Sequence, residues 1–161
     1  MNSRQIERYI SRNCNFHKLK FFKVLSADEF MKLDLKQLPK PFGIVINSLA
    51  SDERNQTGHW VCAYSTQLNV FYWDSLYNNY VTPYSSFIRQ LRLIDLPLIF
   101  NKEIVQSQDS DLCGVYTIVF FYYMLNGCGY DAFLSLFKSN DSKFNDKYVR
   151  EMFHRMIECI S

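Results

Sequence analysis

The sequence predicts one α+β domain over residues 1–161, with a small, mostly antiparallel sheet packed on a buried helix. The helix is predicted by the almost wholly apolar run from Gly114 to Leu125, because apolar residues on every side are typical of a helix without a solvent face. This run is shorter than the roughly 20 residues that span a bilayer. A short turn, Ser65–Gln67, joins the last two of three apolar strand candidates, which should therefore form an antiparallel hairpin. The three candidates are Phe42–Asn47, His59–Tyr64 and Leu68–Asp74.

Shorter elements flank this core. Helical spacing of apolar residues predicts a helix at Arg4–Arg12, and Lys20–Leu25 is typical of an edge strand. Ser26 and Glu29 have the pattern of a capping box, which opens a helix that ends near Leu33. The remaining predicted elements are a helix at Thr82–Asp95 with Pro83 at its first helical position, a fourth short strand within Pro97–Val105, and helices at Asp131–Lys138 and Ser142–Ile160.

Composition narrows the functional class. A net charge of +2 is too small to indicate nucleic-acid binding, although residues 1–40 are basic and form either a solvated face or a contact for an acidic partner. Five cysteines without framework spacing favour a reducing, intracellular compartment over a disulfide scaffold. The half-motif Cys14-x-x-His17 has no second half, so we expect no metal site and no cofactor. Met1–Arg12 is polar and charged, unlike a secretory signal, and we expect no membrane association.

Cys113 lies where a polar, turn-forming segment meets the predicted buried helix. A helix N-terminus offers unpaired backbone N–H groups and the positive end of the dipole, and both favour a thiolate over a thiol. The same N–H groups can stabilise the oxyanion that forms when sulfur attacks a carbonyl. Cys113 is therefore a candidate nucleophile. The alternative is a small buried hydrophobe, and a base elsewhere in the chain must decide between the two.

Among the three histidines, His59 is the best candidate for the base because of its position in the predicted sheet. It enters the hairpin beside Trp60, and Asp74 ends the neighbouring strand, so both should lie at the same open end of the sheet. Asp74 would then accept a hydrogen bond from one imidazole nitrogen and leave the other nitrogen for a sulfur. His17 and His154 lie in loop or helical context without such a neighbour. Taken alone, His59 and Asp74 would each be interpreted as structural.

Two glutamines, Gln106 and Gln108, precede Cys113 in the same polar loop. A thiolate–imidazolium pair needs an oxyanion donor besides backbone N–H groups, and a glutamine amide can supply it. Gln106, seven residues before the cysteine, is the candidate, and Gln108 is its rival.

These residues resemble a known family. The pattern His59-Trp60, then an acid at Asp74, then Gln106-x-x-x-Ser110-x-x-Cys113-Gly114 is similar to that of the adenovirus-type cysteine endopeptidases (adenain), which are relatives of the SUMO/ubiquitin-like-specific proteases. The resemblance covers about residues 3–127 and implies the cysteine-protease fold of that group. Small proteases of this kind also occur in Polinton/Maverick-type mobile elements and related DNA viruses.

The resemblance also implies roles for individual residues. They are a nucleophile (Cys113), a general base (His59), an acid that orients the base (Asp74), an oxyanion donor (Gln106) and substrate contacts in a narrow channel (Trp60, Gly114). Such a channel explains why the family tends to accept glycine or other small residues next to the cleaved bond.

The sequence departs from the adenoviral pattern around Asp74. Adenoviral relatives usually carry Glu followed by Pro and Gly there, whereas Trp73-Asp-Ser-Leu-Tyr77 has the Asp of the SUMO-protease branch. The adenoviral enzymes are activated by a disulfide-linked peptide and by DNA. This sequence has only a modest charge and no cysteine that matches the one in the activating disulfide, so the resemblance does not extend to this activation. An activating peptide or DNA is left open as a partner.

Three functions therefore compete. The first is a thiol endopeptidase that cleaves viral or mobile-element structural precursors, with a polypeptide as its substrate and, by the resemblance, the host nucleus or the virion as its location. The second is a deconjugase of ubiquitin-like modifiers that uses the same residues. The third is a catalytically inactive capsid- or DNA-associated binding module, which the joint occurrence of four chemically competent residues disfavours.

Overall fold

The computed structural model describes residues 1–53, 58–78 and 80–158. These residues form both helices and strands. In chain order they are α1 (Ser3–Asn13), β1 (Phe21–Leu25), α2 (Ala27–Met31), β2 (Phe42–Asn47), β3 (Trp60–Ser65), β4 (Val70–Trp73), α3 (Tyr84–Arg92), β5 (Leu98–Phe100), α4 (Cys113–Leu125), α5 (Tyr130–Leu134) and α6 (Ser142–Glu158). The last two residues of the helix predicted at Ser142–Ile160 lie outside the described residues, as does Cys159.

These elements belong to two compact units. The first unit comprises Met1–Lys18, Ser75–Tyr77 and Asn101–Ser161. The second unit comprises Leu19–Asp74 and Asn78–Phe100. A single domain over residues 1–161 stays a prediction.

The second unit is built on a five-stranded sheet in the order β1-β2-β3-β4-β5. The pairs β2–β3 and β3–β4 are antiparallel, as predicted for the hairpin, whereas β1–β2 and β4–β5 are parallel. The sheet is therefore mixed, where we expected it to be mostly antiparallel. The reason is that a helix follows β1 and another follows β4, and a helical crossover lets the next strand run in the same direction.

One face of this sheet packs against α2 and α3. Phe30 of α2 and Phe87 of α3 are fully buried and meet edge-on, with 5.4 Å between ring centroids. Burying one large apolar side chain stabilises the folded state by about 1.5–3 kcal/mol. The strand residues that join them alternate along the chain, as one face of a sheet requires: Ile44, Ile46, Val61, Ala63, Val70 and Tyr72.

Helix α3 is shorter than the sequence predicted. It begins at Tyr84, so Pro83 precedes it as the cap and does not occupy the first helical position. At the other end Asp95 has a φ of 60°, a left-handed conformation that cannot continue a right-handed helix.

The first unit is organised around α4, which packs against α1, α5 and α6. Eleven of the residues of α4 are buried, as predicted for a helix without a solvent face. Ile6 and Ile10 of α1, Phe133 of α5 and Val149 of α6 are also fully buried. Within the described ranges, no helix combines the length and apolarity needed to cross a membrane.

Candidate active site

The backbone of His59 extends the β2–β3 ladder by one residue. Its N–H donates to the Ser48 hydroxyl at 2.9 Å, and its carbonyl accepts the Ser48 N–H at 2.9 Å. Gly58 precedes it, and a Cβ at that position would lie 2.8 Å from Cγ of Leu49, closer than side chains allow. The backbone of His59 is therefore held in one position at the end of the sheet.

The side chains of His59 and Asp74 meet at this end of the sheet. Their strands pair antiparallel with Cys62 opposite Trp73, so Asp74 is a diagonal neighbour of His59 across the hairpin. The His59 Nε2 atom lies 2.7 Å from Oδ1 of Asp74. Asp74 is fully buried, and the His59 side chain is 11% exposed.

Both carboxylate oxygens of Asp74 have hydrogen-bond partners. Oδ1 bonds His59 Nε2, and Oδ2 accepts the backbone N–H of Asn78 at 2.7 Å. An ionised carboxylate can only accept, so this network assigns the proton of a neutral imidazole to Nε2. The lone pair then resides on Nδ1, which makes Nδ1 the basic nitrogen.

Aromatic residues of α3 hold the plane of the imidazole. Tyr84 lies edge-on to the His59 ring with 5.8 Å between centroids, and Phe87 packs edge-on against Tyr84 at 6.0 Å. Such contacts contribute about 0.5–1.5 kcal/mol each beyond area burial. Near this pair, burial raises the pKa of the Tyr72 phenol well above its ordinary value, and the charge of Asp74 adds to the effect. Tyr72 is therefore neutral beside the carboxylate.

Gln106 belongs to the first unit, in the irregular segment that leads to α4. Its side chain is 1% exposed. The amide oxygen accepts the Ser75 hydroxyl at 2.6 Å, and the amide nitrogen donates to the Ser110 carbonyl at 2.7 Å. A primary amide has two N–H groups, and the bond to Ser110 uses one of them.

The backbone just before Gln106 is held by side chains of α4 and α6. The Val105 carbonyl accepts from Asn145 Nδ2 at 3.1 Å and from the Tyr116 hydroxyl at 3.3 Å. Tyr116 also donates to Asp146 at 2.9 Å. Burial raises the pKa of Tyr116, and Asp146 raises it further, so the phenol keeps its proton. Residues 105–110, the Gln106 segment, are therefore held by specific hydrogen bonds although they are neither helix nor strand.

Cys113 is the first residue of α4 and is 9% exposed. The residue before it, Leu112, is the N-cap and makes no side-chain capping bond. The backbone N–H groups of a first helical turn have no acceptor within their own helix, and the positive end of the dipole lies there. Both features favour negative charge on the sulfur or on an oxygen bound next to it.

The other residues named from the sequence have these positions. Trp60 begins β3 and is 8% exposed, and Gly114 is buried as the second residue of α4. Gln108, the rival of Gln106, is exposed. His17 and His154 are also exposed. In residues 1–53, 58–78 and 80–158, no group of three or more His, Cys, Asp or Glu side chains is placed to hold a metal ion.

Sequence reasoning missed the residues that support these groups. Ser48 and Asn78 bond His59 and Asp74, and Ser75 bonds Gln106. Ser75 stands 31 residues from Gln106 in the chain, and Asn145 stands 40 residues from Val105. Neither pair has a spacing signal, because each is created by tertiary packing.

Comparison with known proteins supports the fold. No protein-family model and no curated protein matches this chain. Among solved structures, the 1.7 Å structure of ChlaDub1 from Chlamydia trachomatis is similar, with a TM-score of 0.54 and 18% sequence identity. The match covers 77% of this chain and 62% of the ChlaDub1 chain. The described residues therefore share the fold of ChlaDub1 over the matched region.

Proposed function

We propose that this protein is a thiol hydrolase that cleaves an amide bond of a polypeptide substrate. One observation carries the proposal furthest: His59 Nε2 bonds a buried carboxylate at 2.7 Å, which leaves Nδ1 as the base. This is the arrangement that a histidine needs to take a proton from a thiol. Asp74, which bonds His59, and Ser75, which bonds Gln106, are consecutive in the chain.

The reaction begins with proton transfer from the Cys113 thiol to His59 Nδ1. The thiolate attacks the carbonyl carbon, a sulfur–carbon bond forms, and the carbonyl π electrons move onto oxygen. The second N–H of the Gln106 amide and the N–H groups at the start of α4 stabilise this oxyanion. The intermediate collapses, the carbon–nitrogen bond breaks, and His59 returns its proton to the leaving amine.

Hydrolysis of the thioester completes the cycle. His59 takes a proton from water, and the hydroxide formed attacks the thioester carbonyl. Collapse of the second intermediate breaks the sulfur–carbon bond, releases a carboxylic acid and regenerates the cysteine. Asp74 stabilises the imidazolium in both halves and does not itself take a proton.

Two kinds of polypeptide substrate are candidates. Cleavage of a ubiquitin-like modifier from its conjugate gains support from the likeness to ChlaDub1, which is a deubiquitinase. Cleavage of structural precursors of a virus or mobile element rests only on the adenain-type resemblance of the sequence, and the comparisons add no support to it. The two differ in the amine that leaves, because a conjugate releases a lysine side chain and a precursor releases a peptide N-terminus.

The proposal is tested by alkylation of Cys113 with iodoacetamide across the pH range, followed by mass spectrometry. We expect Cys113 to be labelled rapidly at pH about 6, where an ordinary thiol of pKa about 8.5 reacts slowly. The exposed Cys128 in the same chain is the internal reference. Labelling of Cys113 should slow at least tenfold in His59→Ala, because the imidazolium that stabilises the thiolate is lost.

The matched control is His154→Ala, since His154 is exposed. It should leave the labelling of Cys113 unchanged. Fluorogenic ubiquitin and SUMO, each with a coumarin amide at the C-terminus, then test the deconjugase. If Cys113 is labelled no faster than Cys128 at pH about 6, the thiol-hydrolase assignment is wrong and the inactive binding module is favoured.

A further inference from the structure

Ser75 is a buried serine that the mechanism above does not use. It is 1% exposed. Its hydroxyl donates to the Gln106 amide oxygen at 2.6 Å, within the ordinary range for an O–H···O bond. Its carbonyl accepts the N–H groups of Val105 and Gln106 at 3.0 and 3.1 Å. Ser75 therefore contacts Gln106 at both its backbone and its side chain.

The Ser110 carbonyl fixes the orientation of the Gln106 amide. The Ser110 carbonyl can only accept, so the amide nitrogen of Gln106 must face it. The amide oxygen then faces Ser75, whose hydroxyl donates to it. A donor on the carbonyl end of an amide also withdraws electrons from the nitrogen, because hydrogen bonds in a chain polarise one another. The second N–H of Gln106 becomes a stronger donor as a result.

We propose that Ser75 is a positioning residue for the oxyanion donor: its hydroxyl holds and polarises the Gln106 amide so that the second N–H meets the reacting oxygen. This inference rests on the proposed function. Ser75 acts through Gln106 and touches no reacting atom.

Other hydrogen bonds hold the backbone near Ser75, so the effect of the Ser75 hydroxyl can be tested separately. Val105 is also held by Asn145 and Tyr116, and the backbone bonds from the Ser75 carbonyl do not need its side chain. Ser75→Ala should therefore remove one side-chain bond and leave the path of the segment unchanged. Ser75→Cys is nearly the same size with a much weaker donor, and it serves if the alanine variant folds poorly.

The test compares two reactions of the Cys113 sulfur. Acyl transfer from p-nitrophenyl acetate forms an oxyanion, whereas alkylation by iodoacetamide displaces iodide and forms none. We expect Ser75→Ala to slow the p-nitrophenolate burst about tenfold, less than the roughly 10²-fold loss in Gln106→Ala. The rate of alkylation of Cys113 should equal that of wild type. Ser75→Thr, which restores a hydroxyl, should recover the burst.

Non-additivity completes the test. The double variant Ser75→Ala/Gln106→Ala should be no slower in acyl transfer than Gln106→Ala, because the hydroxyl then has nothing to position. Gln108→Ala, which changes an exposed amide in the same loop, should match wild type.

Three results would overturn the inference: a wild-type burst in Ser75→Ala, equal slowing of both reactions, or effects that multiply in the double variant. Failure of the proposed function has a different signature. In that case wild-type Cys113 is alkylated no faster than Cys128 and releases no burst, and the role of Ser75 falls with it.

Discussion

His59 and Gln106 are held in place by different kinds of structure. His59 continues a β-ladder, with its backbone bonded to Ser48 and its imidazole bonded to a diagonal neighbour across a hairpin. Gln106 lies in an irregular segment, where two of the bonds come from side chains 30 or more residues away in the chain, Ser75 and Asn145. A ladder supplies its hydrogen bonds from repeating backbone geometry, whereas an irregular segment depends on each distant side chain separately. Single substitutions should therefore disturb the Gln106 segment more than the fold around His59.

The largest effect on activity should come from Asp74→Asn. The Asn78 N–H can only donate, so the new amide must turn its oxygen to Asn78 and its nitrogen to His59. The imidazole proton then moves to Nδ1, and the base is lost although the ladder is intact. We expect acyl transfer to fall by about 10³–10⁴-fold with little change in the thermal midpoint.

The control for this variant is Asp95→Asn, which changes an exposed carboxylate of the same unit. Nitrogen-15 chemical shifts of the imidazole report the tautomer directly. Acyl transfer within tenfold of wild type in Asp74→Asn, with the proton still on Nε2, would contradict the assignment of the base.

Asn145→Ala should have the largest effect on stability. Asn145 is fully buried, and its amide bonds three backbone groups: the Val105 carbonyl at 3.1 Å, the Lys138 carbonyl at 3.0 Å and the Lys138 N–H at 2.8 Å. Each bond contributes about 1 kcal/mol, and all three are lost in the alanine variant. We expect the free energy of unfolding in urea to fall by about 3 kcal/mol.

Lys147→Ala is the control on the same helix, because the Lys147 side chain is 78% exposed. It should change the free energy of unfolding by less than about 0.5 kcal/mol. If Asn145→Ala were equally mild, the Gln106 segment would not depend on distant side chains, and the contrast with His59 would disappear.

The same contrast explains what could be predicted from the sequence. The contact of His59 with Asp74 follows from two strands and a short turn, all within 16 consecutive residues, His59–Asp74. The burial of α4 follows from its composition. Gln106 could be named only as a loop amide with Gln108 as its rival, and its burial became visible only in the fold. Ser75, Asn145 and Asp146 could not be predicted, because nothing in their local sequence distinguishes them from other polar residues.

The strand directions follow from the order of the predicted elements. Predicted helices at Ser26–Leu33 and Thr82–Asp95 each lie between two predicted strands. Such strand–helix–strand order allows parallel pairing, and the outer pairs β1–β2 and β4–β5 are parallel. Hairpin spacing governed the expectation of a mostly antiparallel sheet, and it applies only to the central strands.

A smaller effect is expected from Ser48→Ala. The substitution removes the hydroxyl that accepts the His59 N–H at 2.9 Å, while the Ser48 N–H still donates to the His59 carbonyl. The loss should be about 0.5–1 kcal/mol in the free energy of unfolding, with acyl transfer within about twofold of wild type. A tenfold loss of acyl transfer would mean that the ladder alone does not position the histidine.

The smallest effect should come from Tyr72→Phe. The Tyr72 hydroxyl is buried beneath the sheet face and has no hydrogen-bond partner among the described residues, whereas the buried Tyr116 hydroxyl donates to Asp146. Removing an unsatisfied polar group should cost nothing or stabilise the protein by up to about 1 kcal/mol at pH 7, while Tyr116→Phe should cost about 1.5–3 kcal/mol.

The pH dependence sharpens this comparison. Because burial raises the pKa of Tyr72 in the folded state, the unfolded chain loses this phenol proton first, and the free energy of unfolding declines as the pH rises above about 10. Tyr72→Phe should therefore flatten the decline of the unfolding free energy above about pH 10. A loss above 1 kcal/mol at pH 7 would instead mean that the hydroxyl is satisfied in solution, and that the sheet near Asp74 relies on side-chain bonds as the Gln106 segment does.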